Sequence, residues 1–206
     1  MSEPMTAVRE TGGEIALGPS CRLTYHLRYP FLPEQPAISR CYLQYVRLYE
    51  QRIHTRYLPD LQRMPVGSLA GDLTIEGSCE IMYAQNGLFS AFMDIYEDLG
   101  PYRRTLGRSS ATWDLRSARQ LGLAQLFRSP NAVRQIISGR IGLELAGGRE
   151  GCYYPAPPAR QPRQFYLSEG GLAVYFQPDT VAPASGGIPT FLIPWDDLRP
   201  YAKFPL

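Results

Sequence analysis

In the stretch CRLTYHLRYP, Leu23, Tyr25, Leu27 and Tyr29 alternate with Arg22, Thr24, His26 and Arg28. A period of two predicts a half-buried strand with His26 on its polar face. Upstream, RETGGEIAL offers Gly12 and Gly13 as the turn that brings in a partner strand. Residues 1–16 are therefore expected as a tail or edge strand, and 17–206 as a single α+β domain. The period changes to 3.6 in PEQPAISRCYLQYVRLYEQRIHTRYLPDL, where Tyr42, Tyr45, Val46, Tyr49 and Ile53 form one stripe opposite Arg40, Gln44, Arg47, Gln51 and His54. This helix is expected to open on Ser39 as N-cap and to end before Pro59. Its tyrosines should pack their rings as core and lead their hydroxyls to the rim. His54, four residues after Glu50, reads as half of a surface pair.

RMPVGSLAGDLTIEG reads as loop. SCEIMYAQNGLFSAFMDIYED then reads as a hairpin turning at Asn86-Gly87, with Phe89, Ala91, Met93 and Ile95 on the apolar face of its second strand. LGPYRRTLGRSS is expected as an exposed connection, and SATWDLRSARQLGLAQLF as a strand, a turn and a short apolar segment. A second helix should begin with Ser129 as N-cap and Pro130 at its first position. Val133, Ile136, Ile137, Ile141 and Leu145 line its stripe, and Gly147 with Gly148 stops it. REGCYYPAPPARQPRQ is too rich in proline for anything but loop. FYLSEGGLAVYF is a third hairpin, turning near Gly170 and Gly171, and TFLIPWDDL is a last strand. The tally is about seven strands and two helices. Because hairpins place their strands antiparallel, the expected fold is α+β: a mainly antiparallel sheet built from hairpins, with two helices packed on one face. The last two strands are joined by QPDTVAPASGGIP, in which Pro178 and Pro183 end the ladder and Gly186 and Gly187 let the backbone re-enter. Phe176 and Phe191 should therefore share one sheet.

The 206 residues are 44% apolar and 19% charged with a net charge of +2, which excludes a disordered chain and a strongly polyanion-seeking one. Lys203 is the only lysine, so nearly all basic character is arginine. No run approaches the roughly 18 apolar residues of a membrane helix, and MSEPMTAVRE lacks a basic segment followed by an apolar one. The expectation is a cytoplasmic chain. Cys21, Cys41, Cys79 and Cys152 form no Cys-x-x-Cys pair, and His26 and His54 stand apart from them, so neither a metal site nor a redox motif is expected. Free thiols are the expected state.

Catalytic chemistry is thinly supplied. Asp94, Glu97 and Asp98 lie close together near a strand end, and Asp196 and Asp197 near the C-terminus, but no histidine adjoins them, and carboxylates at strand ends are expected to be solvated. No catalytic residue and no cofactor are assigned. Arg103, Arg104, Arg108, Arg116, Arg119 and Arg128, with Tyr102 and Trp113 for stacking, leave weak nucleic-acid binding as an alternative. Interspersed acids and the low net charge place it below recognition of a protein or glycan.

The ending FYLSEGGLAVYFQPDTVAPASGGIPTFLIPWDDL resembles that of the C-terminal domain of unknown function shared by RsiV-type anti-sigma factors and PdaC-type peptidoglycan deacetylases. It has a strand, a glycine turn, a strand closing on Tyr-Phe-x-Pro, an Ala-Pro, a glycine, and an Ile-Pro before the last leucine. TWDLRSARQLGLAQLF and EIMYAQNGLFSAFMDIYEDLG are similar to other segments of that domain in order and pattern, so the resemblance covers roughly Cys21 to Leu198. It departs at LGPYRRTLGRS, where the family carries a Gly-Gly-Ala-His-Gly loop, and at Ala118, where the family has glycine.

The resemblance implies a non-catalytic recognition or sensor module that binds a protein, lysozyme in RsiV-type members, or a cell-wall-derived ligand. A cell-wall hydrolase or deacetylase-associated domain is the alternative. The related domains are extracytoplasmic. Interface energy concentrates in aromatic and arginine side chains, so Tyr102, Arg103, Arg104, Tyr153 and Tyr154 are the expected contacts, together with Pro178 and Asp179 on the proline-glycine bridge. A net charge of +2 gives no steering toward a basic partner.

Overall fold

The computed structural model describes residues 5–18, 21–65, 68–69, 71–147, 153–154 and 164–205. It is an α+β fold with mostly antiparallel pairing. The described elements run β1 (Ala7–Gly18), β2 (Cys21–Phe31), α1 (Pro36–Arg52), α2 (Leu58–Gln62), β3 (Gly71–Gln85), β4 (Leu88–Asp98), β5 (Arg104–Asp114) and β6 (Arg119–Gln120), then α3 (Leu123–Leu126), α4 (Pro130–Gly147), β7 (Gln164–Ser168), β8 (Gly171–Tyr175), β9 (Thr190–Pro194) and α5 (Trp195–Leu198). Where one sheet was expected there are two, ordered β1-β2-β3-β4-β5-β6 and β7-β8-β9. By contacts the chain divides into two compact units. One comprises residues 4–80 and 93–106. Among the described residues the other comprises those in 81–92 and 107–205, so β3, β4 and β5 contribute to both. Among the described residues no helix is long and apolar enough to cross a membrane.

In the first unit, β1 is one continuous strand, and Gly12 and Gly13 lie in its middle rather than at a turn. They pair with His26 and Tyr25. A Cβ on Gly12 would come within 2.6 Å of the Tyr25 carbonyl, and one on Gly13 within 2.8 Å of the Tyr25 hydroxyl. Only glycine lets the Tyr25 ring lie across the strand. β2 pairs with β3 in parallel, which the helical crossover between them permits. Residues 71–77, expected as loop, are the start of β3; the pattern of Leu73 and Ile75, both buried, carries that signal.

Helix α1 starts four residues earlier than the Ser39 cap predicts, with Pro36 at its first position. Ser39 instead lies buried inside it, where its hydroxyl donates to the Leu32 carbonyl and accepts from the Leu32 amide, both at 2.8 Å. At its other end α1 passes into a π-helical segment, Ile53–Tyr57, and then α2, so Pro59 does not end the helix. The wider i→i+5 turns restart the ladder, and Pro59 falls in the new first turn, where a missing N–H costs little. Tyr42, Val46, Tyr49 and Ile53 are buried as the stripe predicts, whereas Tyr45 is exposed. His54 meets the Tyr25 ring edge-on, and Glu50 accepts a hydrogen bond from Thr11 Oγ1 at 2.9 Å.

In the second unit, Asn86 (φ 56°) and Gly87 (φ 77°) make the predicted two-residue turn. The core joins Leu126, Phe127, Val133, Ile137, Leu172, Phe191 and Trp195. Helix α4 opens at Pro130 and buries Val133, Ile137 and Ile141. Phe176 and Phe191 do share a sheet end: Val174 pairs with Phe191, and the Phe176 amide donates to the Pro189 carbonyl at 3.0 Å. The bridge contains one short 3-10 turn, Ala184–Gly186. Cys21 and Cys79 are buried, Cys41 is exposed, and all three are free; Cys152 and Gly148 lie outside the described residues. Burial pushes the Cys79 thiol up to about 11.

Candidate functional site

The connection between β4 and β5 is shorter than LGPYRRTLGRSS suggests, because strand geometry resumes at Arg104. A connection of five residues remains, Leu99 to Arg103, with Gly100 at φ 58° and the Leu99 amide closing on the Arg103 carbonyl at 2.7 Å. The period of two along β4 explains what lies beneath it. Phe89, Ala91, Met93 and Ile95 occupy the inward positions, and the next inward position is Glu97. The carboxylate is thus carried into the interior by the register of an apolar face, and it is 4% exposed rather than solvated.

A buried carboxylate needs compensation, and Glu97 receives it from four side chains. Tyr49 and Tyr57 both donate to Oε1, the latter at 2.7 Å. Arg103 Nε and Thr105 Oγ1 donate to Oε2, Thr105 at 2.8 Å. Burial by itself would raise the Glu97 carboxyl, but the hydrogen bonds from Tyr49, Arg103, Tyr57 and Thr105 outweigh it and hold it below its ordinary value. The two phenols move the other way, raised first by burial and then by their bonds to this carboxylate. Arg52 completes the surroundings with its guanidinium 5.1 Å from the Tyr57 ring centroid.

Of the residues expected on this turn, Tyr102 donates its hydroxyl to Asp60 Oδ2 at 2.7 Å and meets Tyr57 edge-on, and Arg103 reaches inward to Glu97. Arg104 points outward, two-thirds exposed, and pairs with Asp98 at 2.9 Å. Its guanidinium holds the Asp98 carboxyl below its usual range. Tyr96, which sequence reasoning passed over, is exposed beside them with its hydroxyl 3.4 Å from Asp98. The signal for it was present: when Glu97 points in, Tyr96 and Asp98 must point out. Tyr96 also borders a groove of about 400 Å³ lined by His26, Arg28, Glu76, Asp94 and Leu106. His26 sits there between Glu10, at 3.2 Å, and Glu76, at 3.8 Å.

The other expected contacts lie on the second unit. Tyr153 stacks on Phe191 with ring centroids 5.9 Å apart. The Tyr154 amide donates to the Val181 carbonyl, and its hydroxyl lies 3.2 Å from Asp179 Oδ1. Asp179 takes a left-handed conformation (φ 60°) that lets the same carboxylate accept the Ala184 amide at 2.8 Å, just after Pro178 has ended the strand. Tyr153, Tyr154 and Asp179 thus brace the proline-glycine bridge. Among the described residues no three His, Cys, Asp or Glu side chains gather into a metal-holding group.

Compared with protein families, residues 135–196 match a model described as a protein of unknown function, DUF3298. No curated protein matches the chain by sequence. Two solved structures share the fold. A DUF3298 family protein from Pseudomonas aeruginosa PAO1 superposes with a TM-score of 0.64 at 14% identity, covering 98% of this chain and 96% of its own. A member of the same family from Bacteroides fragilis NCTC 9343 gives 0.66 at 14% identity, covering 97% and 93%. The chain is thus similar in sequence to DUF3298 from within the first half of α4 to α5, and similar in fold to DUF3298 proteins along nearly its whole length.

Proposed function

We propose that this protein is a non-catalytic recognition module, akin to the sensor domain of RsiV-type anti-sigma factors and the accessory domain of PdaC-type deacetylases, and that it binds a protein of lysozyme type or a cell-wall-derived ligand. The observation that carries the reading is the footing of the β4–β5 turn. Glu97 ties that turn to α1 and to the π-helical segment through Tyr49, Tyr57 and Arg103, so Tyr96 and Arg104 are presented on a backbone already ordered. A pre-ordered aromatic and arginine pair lowers the entropy lost on association.

The same geometry supports a role without catalysis. Both oxygens of Glu97 are occupied by donors, and Asp98 is paired with Arg104 and with the Gly100 amide. Neither carboxylate is poised to exchange a proton with a substrate near neutral pH. The test is a binding experiment on the whole chain with lysozymes and muramyl fragments as probes. Saturable binding that weakens about tenfold or more in Tyr96→Ala or Arg104→Ala is expected, the scale of an interface anchor. Turnover of a glycan or ester that disappears in Asp94→Asn or Asp98→Asn would overturn the proposal.

A further inference from the structure

Within the second unit lies an open groove of about 480 Å³, walled by Ser109, Ser110, Gln120, Gln125, Gln164 and Phe165. Its size suits a small organic ligand, for which sites of roughly 300–1,000 Å³ are usual. Among the described residues its lining contains no charged side chain. An ionic ligand would lose hydration there and find no opposite charge to replace it.

The polar groups of the wall divide into engaged and free. Ser110 Oγ donates to the Phe165 carbonyl at 2.7 Å and accepts from the Tyr175 hydroxyl at 3.0 Å. Gln125 Oε1 accepts from the Gly122 amide at 3.0 Å, and the Leu121 amide donates to the Thr112 carbonyl at 2.8 Å. Gln164 Oε1 accepts from Gln177 Nε2 at 3.1 Å. The Phe165 and Thr112 carbonyls and the Leu121 and Gly122 amides are therefore engaged, which leaves an extended peptide fewer backbone partners there. What remains are side-chain donors and acceptors: the Nε2 groups of Gln125 and Gln164, oriented because their oxygens are held, and the Ser109 hydroxyl and Gln120 amide, which make no side-chain hydrogen bond among the described residues. Phe165, half-buried, adds an aromatic ring.

Neutral amide and hydroxyl groups beside one aromatic ring complement a ligand dense in hydroxyls, with an amide of its own and an apolar ring face. We infer that this groove binds a neutral acetamido-sugar unit, its hydroxyls and acetamido carbonyl facing Gln120, Gln125, Gln164 and Ser109, and a ring face against Phe165. The inference rests on the recognition reading and names a ligand class for it, at a place other than the β4–β5 turn.

The test titrates the whole chain with triacetylchitotriose, followed by calorimetry and by backbone amide NMR shifts. Saturable binding with shifts confined to residues 109–112, 120–125 and 164–165 is expected. Ser109→Ala and Gln120→Ala, whose side chains hold nothing else in the fold, should each weaken it by roughly 3- to 10-fold with an unchanged circular dichroism spectrum. The de-N-acetylated, cationic trisaccharide should bind more weakly than the acetylated one. No saturable shift up to the solubility limit, shifts elsewhere, or affinity indifferent to both substitutions would overturn the assignment. Lysozyme binding that persists in that case would leave the recognition reading intact, whereas loss of both would remove the two together.

Discussion

Tyr57 donates its hydroxyl to the same oxygen of Glu97, Oε1, that accepts from Tyr49 eight residues earlier. On a regular α-helix, residues eight apart differ by roughly 80° around the axis. The π-helical segment Ile53–Tyr57 takes up that difference and brings both phenols to one carboxylate. The irregular turn is what allows the anion to be buried.

Replacing Glu97 by glutamine keeps the shape but removes the charge that Arg103 and the hydroxyls answer. A loss of about 2–4 kcal/mol is expected, read as a shifted midpoint in urea unfolding. The pH dependence has a definite sign. The Glu97 carboxyl is lowered in the folded state, so its contribution is fully present above the unfolded value of about 4.3 and is lost as the pH falls toward the folded value. The stability gap between wild type and Glu97→Gln should therefore be level near neutrality and close on acidification.

The phenols make the converse case. Tyr49 and Tyr57 are raised above their ordinary value, so the protonated form is favoured by folding. Stability tied to them is present below pH about 10 and erodes as the pH rises beyond it. Among the 14 tyrosines, Tyr49 and Tyr57 should belong to the late-titrating group in an alkaline absorbance titration, and Glu97→Gln should bring these two earlier.

Ala118 stands at φ 51° in the turn after β5, where Asp114 accepts from the Arg116 amide at 2.9 Å and the Ser117 hydroxyl at 2.7 Å. A side chain costs about 1–2 kcal/mol in that conformation, while glycine adds about 0.5–1 kcal/mol of unfolded-state freedom. Ala118→Gly should raise stability by about 0.5–1 kcal/mol in a thermal melt, with an unchanged spectrum at room temperature.

Arg108 lies with its guanidinium 3.7 Å from the Phe92 ring centroid, and 5.7 and 5.8 Å from those of Tyr175 and Tyr166. Its main-chain N–H and C=O are clasped by the Gln177 side chain. Arg108→Met should cost about 1–2 kcal/mol, and Arg108→Lys should recover only part of it, because a compact ammonium cannot stack on the rings. Chemical denaturation of the three proteins orders them.

The long periodic segments were legible because burial imposes period on sequence. The alternation over 21–30, the helical stripe of Tyr42, Val46 and Tyr49, the Asn86-Gly87 turn and the bridge between Phe176 and Phe191 all follow from local rules of backbone geometry. The parallel pairing of β2 with β3, the division into two sheets and the passage of the helix through Pro59 depend on partners far along the chain, which no window of residues contains. Glu97 sits between these regimes. Its inward register could be counted along β4, but whether an inward carboxylate is tolerable is decided by donors 48 and 40 residues away. Sequence alone determined which positions face inward; only the tertiary structure decided which of them would be allowed to carry a charge, because the cost of burying one is set by the hydrogen bonds that surround it.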